Sequence, residues 1–223
     1  ARPLDFLLQI DCAEVAATDG YRMLPTSGLL TFFYDLENQP WGYDPQQLDG
    51  YHVVLIDDND LVSTPPPSSE YQLPELTMRS GPGQTLPHFG SRDYDRFEAE
   101  ARLRDEERDR YFDFLTAYEL QFYPPESGRH RLLGHSANVQ GDMQLEAQLV
   151  TNGLYCGDET GYKDPRAKLL ESGADDWLLL LQLDSDERCD LMWGDMGMLY
   201  FWIRQNDLKA HRFDRVWMTL QCG

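Results

Sequence analysis

The sequence predicts an α+β protein, mainly antiparallel, in which two related three-stranded units frame a helical middle. Three observations lead there. First, Phe6-Leu7-Leu8-Gln9-Ile10-Asp11 returns as Leu179-Leu180-Leu181-Gln182-Leu183-Asp184, and Gly28-Leu29-Leu30-Thr31-Phe32-Phe33-Tyr34 returns as Gly197-Met198-Leu199-Tyr200-Phe201-Trp202-Ile203. Self-similarity of this kind marks one structural unit used twice. Second, each copy is followed by a third run of β character, Tyr51 to Ile56 and Arg215 to Gln221. Third, Arg92 to Leu120, between the copies, has the composition of a helix. The 223 residues read as a single domain, with repeat units at about 1–60 and 174–223 and a helical and looped middle at 61–173.

Taken in order, Phe6 to Ile10 and Gly28 to Tyr34 are the first two strands. Gln39-Pro40-Trp41-Gly42-Tyr43-Asp44-Pro45 is a turn-rich link to the third, Tyr51 to Ile56. Ser63 to Gly90, with Thr64-Pro65-Pro66-Pro67-Ser68-Ser69 and Gly81-Pro82-Gly83, reads as a loop. In the helical middle, Tyr94, Phe97, Ala101, Tyr111, Leu115 and Tyr118 can share one face. Arg104 to Arg108 interrupt that face, so the spacing predicts one helix or two joined near Asp105, ended by Pro124-Pro125. Asp142 is placed to cap a helix over Met143 to Thr151, closed by Asn152-Gly153; the same residues alternate apolar and polar, which leaves a strand as the rival reading. Asp164-Pro165, Ala167 to Glu171 and Gly173 predict a short capped helix. Trp177 to Leu183, Gly197 to Ile203 and Arg215 to Gln221 are the strands of the second unit. The last alternates Val216, Met218 and Leu220 with Trp217, Thr219 and Gln221, the period of a half-buried strand.

Composition excludes several classes of function. With 19 basic and 39 acidic residues the net charge is −20. A field of that sign repels nucleic acid and anionic membrane surfaces. It serves solubility in general and a basic partner in particular. Cys12, Cys156, Cys189 and Cys222 are scattered, as reduced core thiols are, and form no close pair of the zinc-binding kind. No run approaches the length of a membrane span and no export signal is visible, so the expected location is the cytoplasm. The chain opens within a few residues of an apolar strand, which leaves room for upstream sequence and a signal within it. Gly-x-Ser-x-Gly, Walker-type and dinucleotide loops are absent, and no catalytic residue, cofactor or metal is expected.

Several stretches together resemble the YwqG-like family of bacterial proteins. They are Phe6 to Asp11; Leu24-Pro25-Thr26-Ser27-Gly28-Leu29-Leu30 with Phe32-Phe33; Gln39-Pro40-Trp41-Gly42; His130-Arg131-Leu132-Leu133-Gly134-His135 leading to Val139-Gln140-Gly141-Asp142-Met143; Trp193-Gly194-Asp195 through Tyr200-Phe201-Trp202; and Leu220-Gln221-Cys222. They span nearly the whole chain in order. The resemblance implies fold and kinship and carries no catalytic residues with it. Members usually have a Gly/Pro-rich stretch ahead of the first strand, which this sequence lacks.

Four constellations are candidates for a site. Gln9 and Asp11, with their repeat partners Gln182 and Asp184, could line a symmetric pocket or could bond to backbone at the strand ends. Asp184, Asp186, Glu187, Asp190 and Asp195 are oxygen-rich but lack the spacing of a calcium loop. His130, His135, Gln140 and Asp142 form the densest polar run, suited to acid–base work or to capping and packing. Trp41, Tyr43, Trp193 and Trp202 could line a cleft or fill the core. The function this predicts is non-catalytic binding of a basic protein, in its sharpest form neutralisation of a toxin by an immunity-type protein. The alternatives are an enzyme or a ligand- or metal-binding protein with a cleft between the repeats, and a structural adaptor.

Overall fold

Two antiparallel sheets, one from each end of the chain, pack together through aromatic side chains and share one apolar core. The computed structural model describes residues 3–17, 22–64, 73–123 and 127–223. The elements are β1 (Asp5–Asp11), α1 (Cys12–Ala16), β2 (Leu29–Tyr34), β3 (Tyr51–Ile56), α2 (Arg92–Ala101), α3 (Asp105–Phe122), β4 (Arg131–Leu132), α4 (Met143–Val150), α5 (Glu159–Lys163), α6 (Ala167–Leu170), β5 (Trp177–Asp184), β6 (Met198–Arg204), α7 (Gln205–Lys209) and β7 (Trp217–Gln221). The first sheet runs β1-β2-β3 and the second β4-β5-β6-β7. The architecture is therefore α+β and antiparallel, as the periodicity predicts.

The two halves agree in detail. The β1–β2 register slips between Phe6 and Leu8, and the β5–β6 register slips between Leu179 and Leu181, the same place in the matching hexapeptides. Asp11 pairs with Leu29 and Asp184 with Met198. Cys12 N–H donates to the Gly28 carbonyl at 3.0 Å, and Ser185 N–H donates to the Gly197 carbonyl at 3.2 Å. A Cβ on Gly28 would lie 2.6 Å from the Ile56 carbonyl oxygen, and one on Gly197 would lie 2.2 Å from that of Gln221, so neither position has room for a side chain. The halves meet where Phe32 of β2 packs edge to face on Phe201 of β6, with centroids 5.1 Å apart, and where Tyr51 of β3 packs on Trp217 of β7 at 5.9 Å.

They differ in what flanks the first strand of each. β5 carries β4 on its outer side through Arg131↔Gln182 and Leu132↔Leu181, whereas among the described residues no strand pairs with the free edge of β1. A two-residue strand has no periodicity, so the second sheet has one strand more than the sequence predicts. The turn at Pro40–Gly42 closes the far edge instead. Trp41 C=O accepts from Leu220 N–H at 2.9 Å, and Trp217 Nε1–H donates to Gly42 C=O at 2.9 Å. Gly42 has φ +84°, and a Cβ there would sit 1.9 Å from the Met218 carbonyl oxygen. β7 is consequently buried on both faces rather than half-buried, and it starts at Trp217 because 213–215 form a 3₁₀ turn.

The helical middle is two helices. Ser91 Oγ caps α2, Arg102 leaves it in the left-handed region at φ 53°, and Glu107 reaches back to the Arg104 N–H at 2.9 Å to start α3. The stretch Met143 to Val150 is a helix, not a strand, because Asp142 Oδ1 accepts from both Gln144 and Leu145 N–H at 3.0 Å. Gly173 does not close α6. It lies inside a 3₁₀ segment, Glu171–Asp176, that runs on into β5; Asp164, directly after α5, opens the turn into α6, its Oδ1 accepting from Arg166 N–H at 2.8 Å and its carbonyl from Ala167 N–H at 2.9 Å. The Pro65 to Ser69 run and Pro124-Pro125 lie outside the described residues.

Candidate functional site

A dense polar arrangement forms where the 129–142 segment crosses β5 and β7 beneath α2 and α3. The segment enters through the short β4, whose two register pairs cannot hold a long segment alone. Three buried side chains supply the missing hydrogen bonds. Gln182, wholly buried, accepts Ala137 N–H at 2.8 Å and donates to Arg129 C=O at 2.6 Å. Gln221, 3% exposed, accepts Val139 and Gln140 N–H, both at 3.0 Å, and donates to Gly141 C=O at 3.2 Å. Tyr200 Oη donates to Ala137 C=O at 2.6 Å. A buried amide must be paired, and here pairing fixes the path of a loop.

Three histidine–carboxylate pairs ride on that segment and its neighbours. His130 Nδ1 accepts Asp184 N–H at 3.1 Å, which places its proton on Nε2, 3.7 Å from Asp186. Burial pushes His130 below its ordinary value, against the pull of Asp184 and Asp186, so the ring is neutral at pH 7. His135 Nδ1 lies 3.0 Å from Asp93 Oδ2, a hydrogen bond that holds the Asp93 carboxyl below its usual range. His88 Nε2 lies 3.4 Å from Glu119, whose other oxygen pairs with the guanidinium of Arg131. Burial alone would raise Glu119; His88 and Arg131 overcome it and hold the carboxyl at about 2. Arg131 is 4% exposed, donates to His135 C=O at 2.8 Å and lies 5.0 Å from the Tyr123 ring centroid, while its Nε has no hydrogen-bond partner among the described residues. The recess beside it, lined by Thr85, Tyr118, Phe122 and Tyr123 among others, is too narrow to admit a water molecule.

The structure separates the residues that the repeat suggests together. Gln9 is exposed on β1, and Asp11 caps α1 by accepting from Ala13 N–H at 2.8 Å and Glu14 N–H at 3.3 Å. Gln182 and Asp184 face the 129–137 segment instead, Asp184 accepting Arg129 N–H at 2.8 Å. Among the described residues no hydrogen bond or ion pair joins the first pair to the second; Asp11, Gln182 and Asp184 bond to backbone instead. Asp142 is a helix cap, raised by burial, with Arg92 3.7 Å away. Gln140 is exposed and takes part through its backbone N–H. Trp193 is a core residue, edge to face with Tyr34 at 5.6 Å, and Trp41 is half-buried against the same core. Asp195 is exposed, its carbonyl accepting Gly223 N–H at 3.3 Å. Asp186 pairs with Arg188 at 2.6 Å and caps the turn that follows. Among the described residues no group of three or more His, Cys, Asp or Glu side chains is placed to hold a metal ion.

Residues that the sequence reading passed over do much of this work. Arg131 and Gln221 stand in the family motifs and Glu119, His88 and Asp93 in none of them; all five are of types common on surfaces, and only the fold brings them together. Gln148 belongs with them: its Oε1 accepts Trp177 Nε1–H at 3.1 Å and an Arg204 N–H at 2.7 Å, with the guanidinium 4.5 Å from the Trp177 ring centroid. An open groove of about 520 Å³ lies elsewhere, between Pro3, Leu4, Phe33, Leu48, Asp49, Tyr51 and His52, and none of the candidates lines it.

Fold and site together define an α+β protein of two antiparallel sheets whose polar seam fastens a long segment in place. The chain belongs to the family described as a domain of unknown function, DUF1963, whose pattern matches residues 1–222. That is consistent with the resemblance carried by its motifs. No curated protein matches the chain significantly. Among the described residues no helix is long and apolar enough to cross a membrane.

Proposed function

We propose that this chain is a non-catalytic, cytoplasmic protein-binding protein with a basic partner, and that its sharpest form is an immunity-type inhibitor of a basic toxin. The observation that supports this is where the polar capacity goes. Gln182, Gln221, Asp142, Asp184 and the Arg131–Glu119 pair are spent on backbone and on one another, holding the 129–142 segment. The surplus of acid, −20 over the chain, is left for the surface. A surface of that sign steers encounter with a basic protein and favours fast association. The test is growth of cells poisoned by each basic toxin encoded beside this chain, with and without co-expression. Rescue that weakens when surface carboxylates are neutralised supports the reading. Growth inhibition left unchanged across all of those toxins sinks it.

A further inference from the structure

We propose that the outer face of α3 docks a lysine- and arginine-rich amphipathic helix of the partner protein, an assignment that rests on the basic-partner reading above. The inner side of α3 is occupied. Leu115 is 2% exposed, Tyr111 Oη donates to Pro87 C=O at 2.7 Å, and Glu119 holds Arg131 and His88. On the opposite side, helical spacing brings Glu106, Asp109, Asp113, Phe114, Ala117 and Leu120 to one face. All six are exposed, Phe114 at 54% and Leu120 at 55%. Ala117 sits between the last two apolar side chains, and so small a residue lets a second helix approach closely.

The charges on this side are not balanced internally. At the start of the helix, Arg104 is tied to Glu107, and Arg108 to Asp105 and Glu98. Glu106, Asp109 and Asp113 enter no ion pair among the described residues, and Arg110 is the cation that shares their face. Helix polarity explains acids in a first turn, but the effect fades within that turn, and Asp109 and Asp113 lie beyond it. The face is thus acidic toward its start and apolar toward its end. A second copy of the chain would set this acidic row against another −20 molecule, and an anionic lipid surface would be repelled. A helix with Lys or Arg opposite 106–113 and apolar side chains opposite 114–120 satisfies both halves. Phe114 packs against Tyr118, and Tyr118 against Phe122, with centroids 5.8 and 5.0 Å apart and planes tilted by 33° and 51°, and the exposed Phe114 ring is within reach of a partner guanidinium.

The test is fluorescence anisotropy with a labelled synthetic peptide carrying leucine on one helical face and lysine on the other, beside a scrambled peptide of the same composition. The amphipathic peptide is expected to bind the chain in a salt-dependent manner and the scrambled one far more weakly. Asp109→Lys with Asp113→Lys, and separately Phe114→Ala with Leu120→Ala, should each weaken binding about tenfold or more. The same charge change placed elsewhere, Glu187→Lys with Asp214→Lys, should cost much less. Circular dichroism confirms that each variant is folded; these side chains are all exposed, so little change is expected. Equal loss from both charge pairs, equal binding of both peptides, or no binding of either overturns the assignment. Toxin rescue separates the two proposals: rescue that survives Asp109→Lys with Asp113→Lys retains the protein-binding role and discards this surface, whereas a wild-type chain that rescues from none of the toxins removes the role itself.

Discussion

Phe32 and Phe201, which occupy the same position in the two matching heptapeptides, touch each other edge to face at 5.1 Å in the centre of the core. Both are wholly buried. The halves of the sheet system are thus joined at equivalent residues, and the joint is aromatic. Phe32→Ala and Phe201→Ala should each cost about 3–5 kcal/mol of stability. The two changes share a contact, so the double variant should fall short of their sum by about 1 kcal/mol. Urea unfolding of the four proteins measures this, and strict additivity would show that the rings do not interact.

Gln182 is expected to behave as a structural residue. Replacing it by Met keeps the volume but leaves Ala137 N–H and Arg129 C=O without partners under a buried strand. The cost should be about 2–4 kcal/mol. Hydrogen exchange should show the loss concentrated at the Ala137 amide, with the β5–β6 amides retaining their relative protection. Uniform loss across both sheets would count against a role confined to fastening the 129–137 segment.

The contrast between these two sites explains what could be read in advance. Strands were legible where burial imposes alternation or a long apolar run, as in Tyr51 to Ile56 and Trp177 to Asp184, and α4 where Asp142 supplies a cap. Two-residue β4 was not, because its place depends on Gln182 and Gln221 side chains that reach it from positions remote in sequence. The repeat leaves open whether Gln9 and Gln182 meet or bond to backbone; the equivalent residues that meet are Phe32 and Phe201. Gln9 pairs with Thr31 and Gln182 with Tyr200, the same row of each sheet. The row containing Gln182 is covered by the 129–141 segment, whereas Gln9 is exposed. Sequence equivalence fixes register within each half and leaves open which faces come together.

Arg131 and Glu119 should be far more costly to separate than to remove together. Arg131→Met leaves the Glu119 carboxylate with His88 alone in a largely apolar setting and should cost about 3–5 kcal/mol, whereas Arg131→Met with Glu119→Leu should recover most of that loss. Acid has a predictable effect on the native pair. Glu119 is held at about 2 against an ordinary value of 4.5, so its contribution is present above pH 4.5 and is lost as pH falls toward 2. The double variant should lack that part of the acid sensitivity. Denaturant midpoints between pH 2 and pH 6 check both statements, and an unaltered acid limb in the double variant would place the titrating group elsewhere.

Glu146 on α4 should titrate in the opposite sense. Burial lifts its carboxyl from 4.5 to about 7, opposed by a hydrogen bond from the Tyr162 hydroxyl, 3.2 Å away, and reinforced by Asp142. A folded value above the unfolded one means that the native state holds the proton more firmly. Glu146 therefore stabilises the fold relative to its charged form below pH 4.5, and that advantage drains away between pH 4.5 and 7. Allowing for its half-buried position, the swing should be about 2 kcal/mol. Glu146→Gln retains an acceptor for Tyr162 and cannot ionise. It should match the wild-type chain near pH 4.5, exceed it by about 2 kcal/mol at pH 8, and flatten the stability curve between those limits. The difference between the two proteins, followed by urea unfolding across that range, cancels the general effect of net charge because every other carboxylate is common to both. A variant that is less stable at pH 8 would mean that the charged carboxylate is paired in the native state, and that α4 is held against β7 and α5 by an ionic contact rather than by a shared proton.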